Sequence, residues 1–187
     1  MSASTASTAS TPSIKRRLIA LVYEVFLVLA VNVLAAALWM LLTRNSHAPI
    51  ALFGLKVVLF LATGAYFVYN WTASGHTLAM KTWRMCVTRA GASAQPYARV
   101  PLRNAVVRYL LAWGWILPAH ELNVLLGLHD KVSNGLVLGL GVLAWALTAL
   151  FDRDRQFLHD RLAGTRVVAL PARRAPAAEA EPLKPAA

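Results

Sequence analysis

The sequence predicts an all-α membrane protein with four transmembrane helices and one cytoplasmic loop that has room for a short β-hairpin. Two features of its composition support this prediction. Hydrophobic residues make up 58% of the chain and charged residues 14%, with a mean hydropathy of +0.52, whereas a soluble domain carries about a quarter of its residues charged. The charges are also clustered, and they leave four apolar runs long enough to cross a bilayer.

The two ends of the chain differ from the region between them. Residues 1–14 are mainly Ser, Thr and Ala, and residues 170–187 are rich in Ala and Pro. Both offer little apolar surface to bury, so both are predicted to be disordered tails. Residues 15–169 then form one membrane domain.

The first apolar run covers residues 18–42 and follows Lys15-Arg16-Arg17. At 1.5 Å per residue it spans roughly 37 Å, enough to cross a bilayer with some tilt. A cleaved signal peptide is the alternative, but the run is about twice as long as a signal-peptide core. It therefore predicts a retained first helix.

The second and fourth runs cover residues 50–71 and 132–151. Lys56 lies near the start of the second run, where its long side chain can reach the membrane surface. In the fourth run, Gly135 and Gly139 form a small-xxx-small step, which favours close helix packing within the bundle or between protomers. Both runs predict membrane-spanning helices.

The third run, residues 105–128, is the least apolar. It contains Arg108, Pro118 and Glu121, so its uncharged centre is short. We expect this helix to be kinked or partly buried among the others.

The distribution of positive charge predicts the orientation. With the amino terminus inside, all but three of the 19 Lys and Arg residues lie on the cytoplasmic side; the exceptions are Arg44, Lys56 and Lys131. The positive-inside rule therefore places both termini in the cytoplasm, with the chain in the inner membrane of a bacterium. Residues 72–103 become a cytoplasmic loop, where residues 85–92 favour a strand and a turn.

Several classes of function find no support in the sequence. The net charge of +11 could indicate nucleic-acid binding, but no nucleic-acid motif is present and the cations follow the ends of apolar runs. The single cysteine, Cys86, excludes an intramolecular disulfide and a thiolate metal cluster. His120-Glu121 and His129-Asp130 match no metal-ligand spacing. We therefore predict no cofactor, no metal and no enzymatic activity.

Glu24 is the most informative residue in the chain. It lies seven residues after Arg17 and eight before Asn32, so the three share nearly one helix face. A carboxylate in the membrane costs at least about 2.5 kcal/mol, so it should face protein or water and have a partner. Two interpretations remain open: a proton or cation site, or a structural ion pair that holds the first helix to a neighbour.

Arg108 is the natural candidate for that partner. It lies in the first turns of the third predicted helix, which enters the membrane from the same side as the first. The Arg108 side chain should therefore lie at about the same depth in the membrane as Glu24. Alternatively, its side chain extends to lipid phosphates.

Four short motifs, taken together, resemble the RDD family of bacterial membrane proteins. They are Arg16-Arg17-Leu18-Ile19-Ala20 followed by Glu24; Gly75-His76-Thr77-Leu78 with Lys81; Leu102-Arg103-Asn104 with Arg108; and Arg155 with Leu158-His159-Asp160 and Leu162-Ala163-Gly164-Thr165. The resemblance covers residues 16–168, with the motifs in the family's order.

The resemblance implies roles for particular residues. The family is named for one arginine and two aspartates, and here Arg17, Glu24 and Asp160 stand at those positions. His76 and Ala79 depart from the usual Gln and Gly of the loop motif. The predicted ion-coupling or family-motif residues are Arg17, Glu24, Asn32, Arg103, Asn104, Arg108, Arg155, His159, Asp160, Gly164 and Thr165.

Two functional hypotheses follow. Transport has been suggested for some family members, including sodium–proton exchange, and Glu24 would then bind a proton or monovalent cation. A chain this small would need to form a homo-oligomer to build a pathway. Alternatively, the chain is a non-transporting assembly or interaction protein, and its charged residues are structural. In either case the lipid bilayer is its main partner.

Overall fold

The computed structural model describes residues 10–91, 98–128, 130–152 and 156–170. Seven helices and two strands occur in these ranges. They are α1 (Ile14–Leu42), α2 (Pro49–Ala73), α3 (Leu78–Thr82), β1 (Met85–Arg89), α4 (Leu102–Ala112), α5 (Ile116–Leu125), α6 (Lys131–Leu147), α7 (Leu158–Leu162) and β2 (Thr165–Ala169). Short 3₁₀ turns follow α4 and α6.

Three helical segments are long and apolar enough to cross a membrane: α1, α2, and residues 131–150, which comprise α6 and its following turn. Most of their large apolar side chains lie on the surface; Leu41 and Ile50, for example, are 76% and 77% exposed. Surface of this extent needs lipid around it. The chain is therefore mostly helical, with three candidate membrane-spanning helices and a small sheet.

The third predicted helix, residues 105–128, is divided in the structure. α4 ends at Ala112, a 3₁₀ turn occupies Trp113–Trp115, and α5 begins at Ile116. Pro118 explains the break, because it has no N–H to donate to Gly114 and its ring crowds that carbonyl. Neither half is among the helices long and apolar enough to span a membrane.

The start of α1 lies at the end of the predicted amino-terminal tail, residues 1–14. The Ser13 side chain caps α1 by accepting a hydrogen bond from the Arg16 backbone N–H at 3.4 Å. The Ser10 carbonyl accepts another from the Ala169 N–H at 2.8 Å. Capping and this contact fix a segment whose composition alone predicts disorder. Residues 1–9 and 171–187 of the predicted tails lie outside the described ranges.

The long helices α1 and α2 form an antiparallel pair, and α4 packs against α2. The ring of Tyr109 lies against Gly64, where an added Cβ would come within 2.8 Å of it. The Tyr109 hydroxyl donates to the Phe60 carbonyl at 2.6 Å. Gly64 is thus the position at which α2 admits an aromatic ring from α4.

The two strands are far apart in sequence. β1 pairs antiparallel with β2, from Met85 opposite Ala169 to Arg89 opposite Thr165. A hairpin confined to residues 72–103 was the prediction, and it is wrong about the partner, since β1 pairs with the segment after α7. The buried Val87 and Val167 place this sheet on the core.

The glycine step of α6 makes no close helix contact within the described part of the chain. A Cβ added at Gly135 or Gly139 would meet nothing within 4 Å. The packing predicted from this step is therefore absent inside the described protomer.

We expect Gly64→Ala to lower the free energy of unfolding by about 1–3 kcal/mol relative to Gly139→Ala, because the new methyl group displaces the Tyr109 ring. Both changes raise helix propensity equally, so the difference between them reports packing. Unfolding of the purified protein in mixed micelles measures both values. Equal stabilities would show that the α2–α4 contact is not as close as described.

Candidate functional site

Two clusters of polar residues lie buried between the helices. The Glu24 cluster consists of Glu24, Tyr66 and Thr77. The Arg108 cluster is larger and consists of Arg108, His159, Asp160 and Thr165. The two acids that match the family motifs lie in different clusters.

Two hydroxyl groups hold the Glu24 carboxylate, which is only 7% exposed. The Tyr66 hydroxyl from α2 donates to Oε1 at 2.7 Å, and the Thr77 hydroxyl donates to Oε2 at 2.5 Å. Thr77 also caps α3, since its oxygen accepts from the Met80 N–H at 3.2 Å. Glu24 therefore ties α1 to α2 and to the start of α3.

Glu24 makes no ion pair with any residue in the described ranges. Arg108, the partner predicted from depth, pairs instead with Asp160. That prediction is wrong because α7 packs on α4 and places a second carboxylate next to the guanidinium. Glu24 is left with neutral donors.

A second polar pair lies deeper between α1 and α2. The Thr63 hydroxyl donates to Asn32 Oδ1 at 3.0 Å, and Thr63 is buried. Asn32 follows Glu24 by eight residues, about 12 Å along the helix. The α1–α2 interface thus carries polar groups at two depths, as the shared face of Glu24 and Asn32 predicted.

The ion pair of the Arg108 cluster is fully enclosed. The side chains of Arg108 and Asp160 are 8% and 0% exposed. Arg108 Nη1 donates to Asp160 Oδ1 and, at 3.1 Å, to the Thr165 hydroxyl. The guanidinium carbon also lies 4.6 Å from the centre of the Trp71 ring, which adds a cation–π attraction.

Local backbone contacts position Asp160 and Thr165. The Asp160 N–H donates to the Phe157 carbonyl at 3.0 Å, and the Thr165 hydroxyl donates to the Asp160 carbonyl at 3.2 Å. The turn between α7 and β2 therefore presents a carboxylate and a hydroxyl to the same guanidinium.

Asn104 and Gly164 fasten that turn to α4. Asn104 Nδ2 donates to the Ala163 carbonyl at 2.7 Å. Gly164 has φ +63°, and a Cβ there would lie 3.1 Å from Asn104 Nδ2. The turn requires glycine both for its backbone conformation and for this close approach.

His159 is held as a neutral ring. It stacks on Trp145 and Phe157, with interplanar angles of 3° and 11°. The Trp145 indole N–H can only donate, and it lies 3.1 Å from Nδ1. The ring proton therefore sits on Nε2, 3.5 Å from Asp160 Oδ1. Burial lowers the pKa of His159 well below 6.5, and the charges of Arg108 and Arg17 lower it further.

The remaining predicted residues take separate places. Arg17 is buried and lies over the Phe157 ring at 5.4 Å, so it joins α1 to the segment that carries the Arg108 cluster. Arg103 is exposed in the first turn of α4. Arg155 lies outside the described residues. Within those residues, no three His, Cys, Asp or Glu side chains are placed to hold a metal ion.

Sequence reasoning missed three residues in or beside these clusters. Tyr66 and Thr63 are polar interruptions of an apolar run, and this signal marks them as candidates for an inward face. Trp71, near the end of the second apolar run, is buried beneath Arg108. No sequence signal distinguishes the buried and lipid-facing positions of a tryptophan at a helix end.

Comparison with known protein families matches this chain to a family model. The model described as the RDD family matches residues 11–164, which include every residue of the two clusters except Thr165. No curated protein and no solved structure matches the chain.

Breaking the buried ion pair should destabilise the folded protein. We expect Arg108→Gln and Asp160→Asn each to lower the free energy of unfolding by about 3–5 kcal/mol, because each leaves a buried charge unpaired. The double variant should lose less than the sum. Unfolding in mixed micelles measures all three values.

The pair between Arg161 and Asp152 provides the control, since the Arg161 side chain is 72% exposed. Arg161→Gln should cost less than about 1 kcal/mol. Strictly additive losses from the two single changes at Arg108 and Asp160 would contradict their direct coupling.

Stability should also fall as the pH drops below about 6.5. His159 binds its proton more weakly in the folded protein than in the unfolded chain, so acid favours the unfolded chain. The slope of the free energy of unfolding against pH can reach about 1.4 kcal/mol per pH unit. Thermal melting between pH 5 and 8 should show this slope, and His159→Phe should flatten it. An unchanged slope in the variant would mean that another group is responsible.

Proposed function

This chain belongs to the RDD family, and from that membership and the geometry of Glu24 we propose that it transports protons or small monovalent cations across a membrane. One observation carries the proposal. A carboxylate buried on the first apolar helix is held by two neutral hydroxyl groups and has no ion-pair partner among the described residues.

The neutral donors leave Glu24 able to change its charge. A carboxylate locked to a guanidinium resists protonation, whereas one held by hydroxyl groups can bind a proton without leaving a buried cation behind. The Thr77 hydroxyl donates to Oε2, and its oxygen also accepts from the Met80 N–H. The Tyr66 hydroxyl can donate to ionised Oε1 or accept from protonated Oε1.

The same atoms suit a small cation. Carboxylate and hydroxyl oxygens are the ligands that hard cations prefer. Asn32 and Thr63 supply two further oxygens about 12 Å along the α1–α2 interface. Polar groups therefore continue along the α1–α2 interface beyond Glu24, where a proton or cation leaving this carboxylate could bind next.

The proposal includes an arrangement in the membrane. α4 and α5 make a fourth, divided segment beside the three spans, and both termini lie in the cytoplasm of a bacterium, as the charge distribution favours. Copies of the chain assemble to complete a pathway, since one small bundle encloses little space. The function requires no cofactor, no nucleic acid and no enzymatic step.

A second candidate, a non-transporting assembly protein, is favoured by a different observation. The loop and the closing segment pair with each other through β1 and β2. The buried charges then serve to build a rigid platform at the membrane surface. In that case, replacing Glu24 changes stability but moves no ions.

Transport is testable with purified protein in liposomes that contain a pH-sensitive dye. Sodium, potassium and lithium gradients are imposed in turn. We expect proton movement driven by at least one cation, and we expect Glu24→Gln to reduce its rate at least tenfold, because the amide cannot take up a proton. Tyr66→Phe should reduce it less, since Thr77 still donates to the carboxylate.

Glu121→Gln is the matched control, because Glu121 is an exposed glutamate in α5. It should transport like the unaltered protein. If folded protein in both orientations moves no protons under any gradient, or if Glu24→Gln moves them at the original rate, transport through Glu24 is wrong.

A further inference from the structure

We propose that the start of α1 and the turn between α3 and β1 form a binding site for the headgroup of an anionic phospholipid. A shallow cavity of about 480 Å³, open to the surface, lies between them. It is lined by Ser13, Lys15, Arg16, Ile19, Thr82, Trp83 and Arg84. This site stands independently of the transport proposal.

The walls of the cavity are held together by Arg16. Its Nε donates to the Trp83 carbonyl at 2.6 Å, and its Nη2 donates to the Arg84 carbonyl at 3.1 Å. The Arg84 carbonyl also accepts from the Leu170 N–H at 2.8 Å. The cavity is therefore a built feature that joins α1, the turn and the end of β2.

The backbone of Arg84 is held in an uncommon conformation. Its φ is +51°, in the left-handed region that residues with a side chain seldom adopt. Such conformations persist where surrounding contacts fix them, and they concentrate at functional positions. Here the conformation makes the turn from α3 into β1 and keeps Arg84 in the wall of the cavity.

The charge of the lining selects the ligand. Three of the lining residues are Lys or Arg, and none of the seven is Asp or Glu. A phosphate with net negative charge is attracted by all three cations, whereas the ammonium group of a zwitterionic headgroup is repelled. The chemistry fits an acidic phospholipid.

The position of the cavity favours a lipid over a soluble anion. α1 is 29 residues long, about 43 Å, whereas the hydrocarbon core is about 30 Å thick. The first turns of α1 therefore lie at headgroup depth. Trp83 packs edge-on against Tyr23, with ring centres 6.2 Å apart, and Tyr23 is exposed. An acyl chain can follow this aromatic and apolar surface down α1 while the phosphate occupies the cavity.

The test is a lipid titration of the purified full chain, with bound lipid counted by native mass spectrometry. Phosphatidylglycerol is compared with phosphatidylcholine of the same acyl chains. We expect one phosphatidylglycerol to bind saturably and phosphatidylcholine to bind at least tenfold more weakly. Lys15→Gln with Arg84→Gln should weaken phosphatidylglycerol binding more than tenfold, since each cation contributes about fivefold.

Arg44→Gln with Lys56→Gln removes the same charge near the other end of α1, and both side chains are exposed. This control should bind phosphatidylglycerol within twofold of the unaltered protein. Equal weakening in the two double variants, or equal binding of the two lipids, would overturn the site. Lys15→Gln alone leaves the turn intact and should still weaken binding about fivefold; no change would also overturn it. Displacement of the lipid by millimolar inorganic phosphate would show a small-anion site instead.

Discussion

The ion pair between Arg108 and Asp160 is the contact on which the structure around the small sheet depends. It fixes α7 to α4 and so sets the position of β2, which begins at Thr165 beside the same guanidinium. β2 pairs with β1, and β1 follows α3 after only two residues. Because Thr77 caps α3 and donates to Glu24, the geometry of the membrane carboxylate is linked to an ion pair in the other cluster.

The two buried acids, Asp160 and Glu24, are stabilised in different ways. Asp160 is compensated by a full positive charge, and removing either charge leaves the other unpaired in a region of low dielectric. Glu24 is compensated by two hydroxyl groups, which stabilise the carboxylate less strongly. A fixed charge suits a structural anchor, whereas a weakly held one suits a group that changes protonation. This difference, more than burial itself, separates the anchor from the candidate coupling site.

The sequence predicted features that depend on neighbours along the chain. The apolar runs of α1, α2 and α6 and the inward face of Glu24 and Asn32 follow from composition and helical spacing. The partner of Arg108 could not be predicted, because Asp160 lies 52 residues away and only the packing of α7 on α4 brings it close. The pairing of β1 with β2 has the same cause. The break between α4 and α5 was only partly foreseeable: Pro118 indicates a kink but does not set the length of the two halves.

Infrared difference spectroscopy tests the central claim, that Glu24 changes protonation inside the folded protein, most directly. Reconstituted protein is stepped between acidic and alkaline pH, and the carbonyl band of protonated carboxylic acids is recorded. A band that is present in the unaltered protein and in Glu121→Gln, missing in Glu24→Gln, and shifted in Tyr66→Phe is the expected result. If Glu24→Gln leaves every carboxylic-acid band unchanged, Glu24 does not titrate, and its contacts with Tyr66 and Thr77 are structural alone.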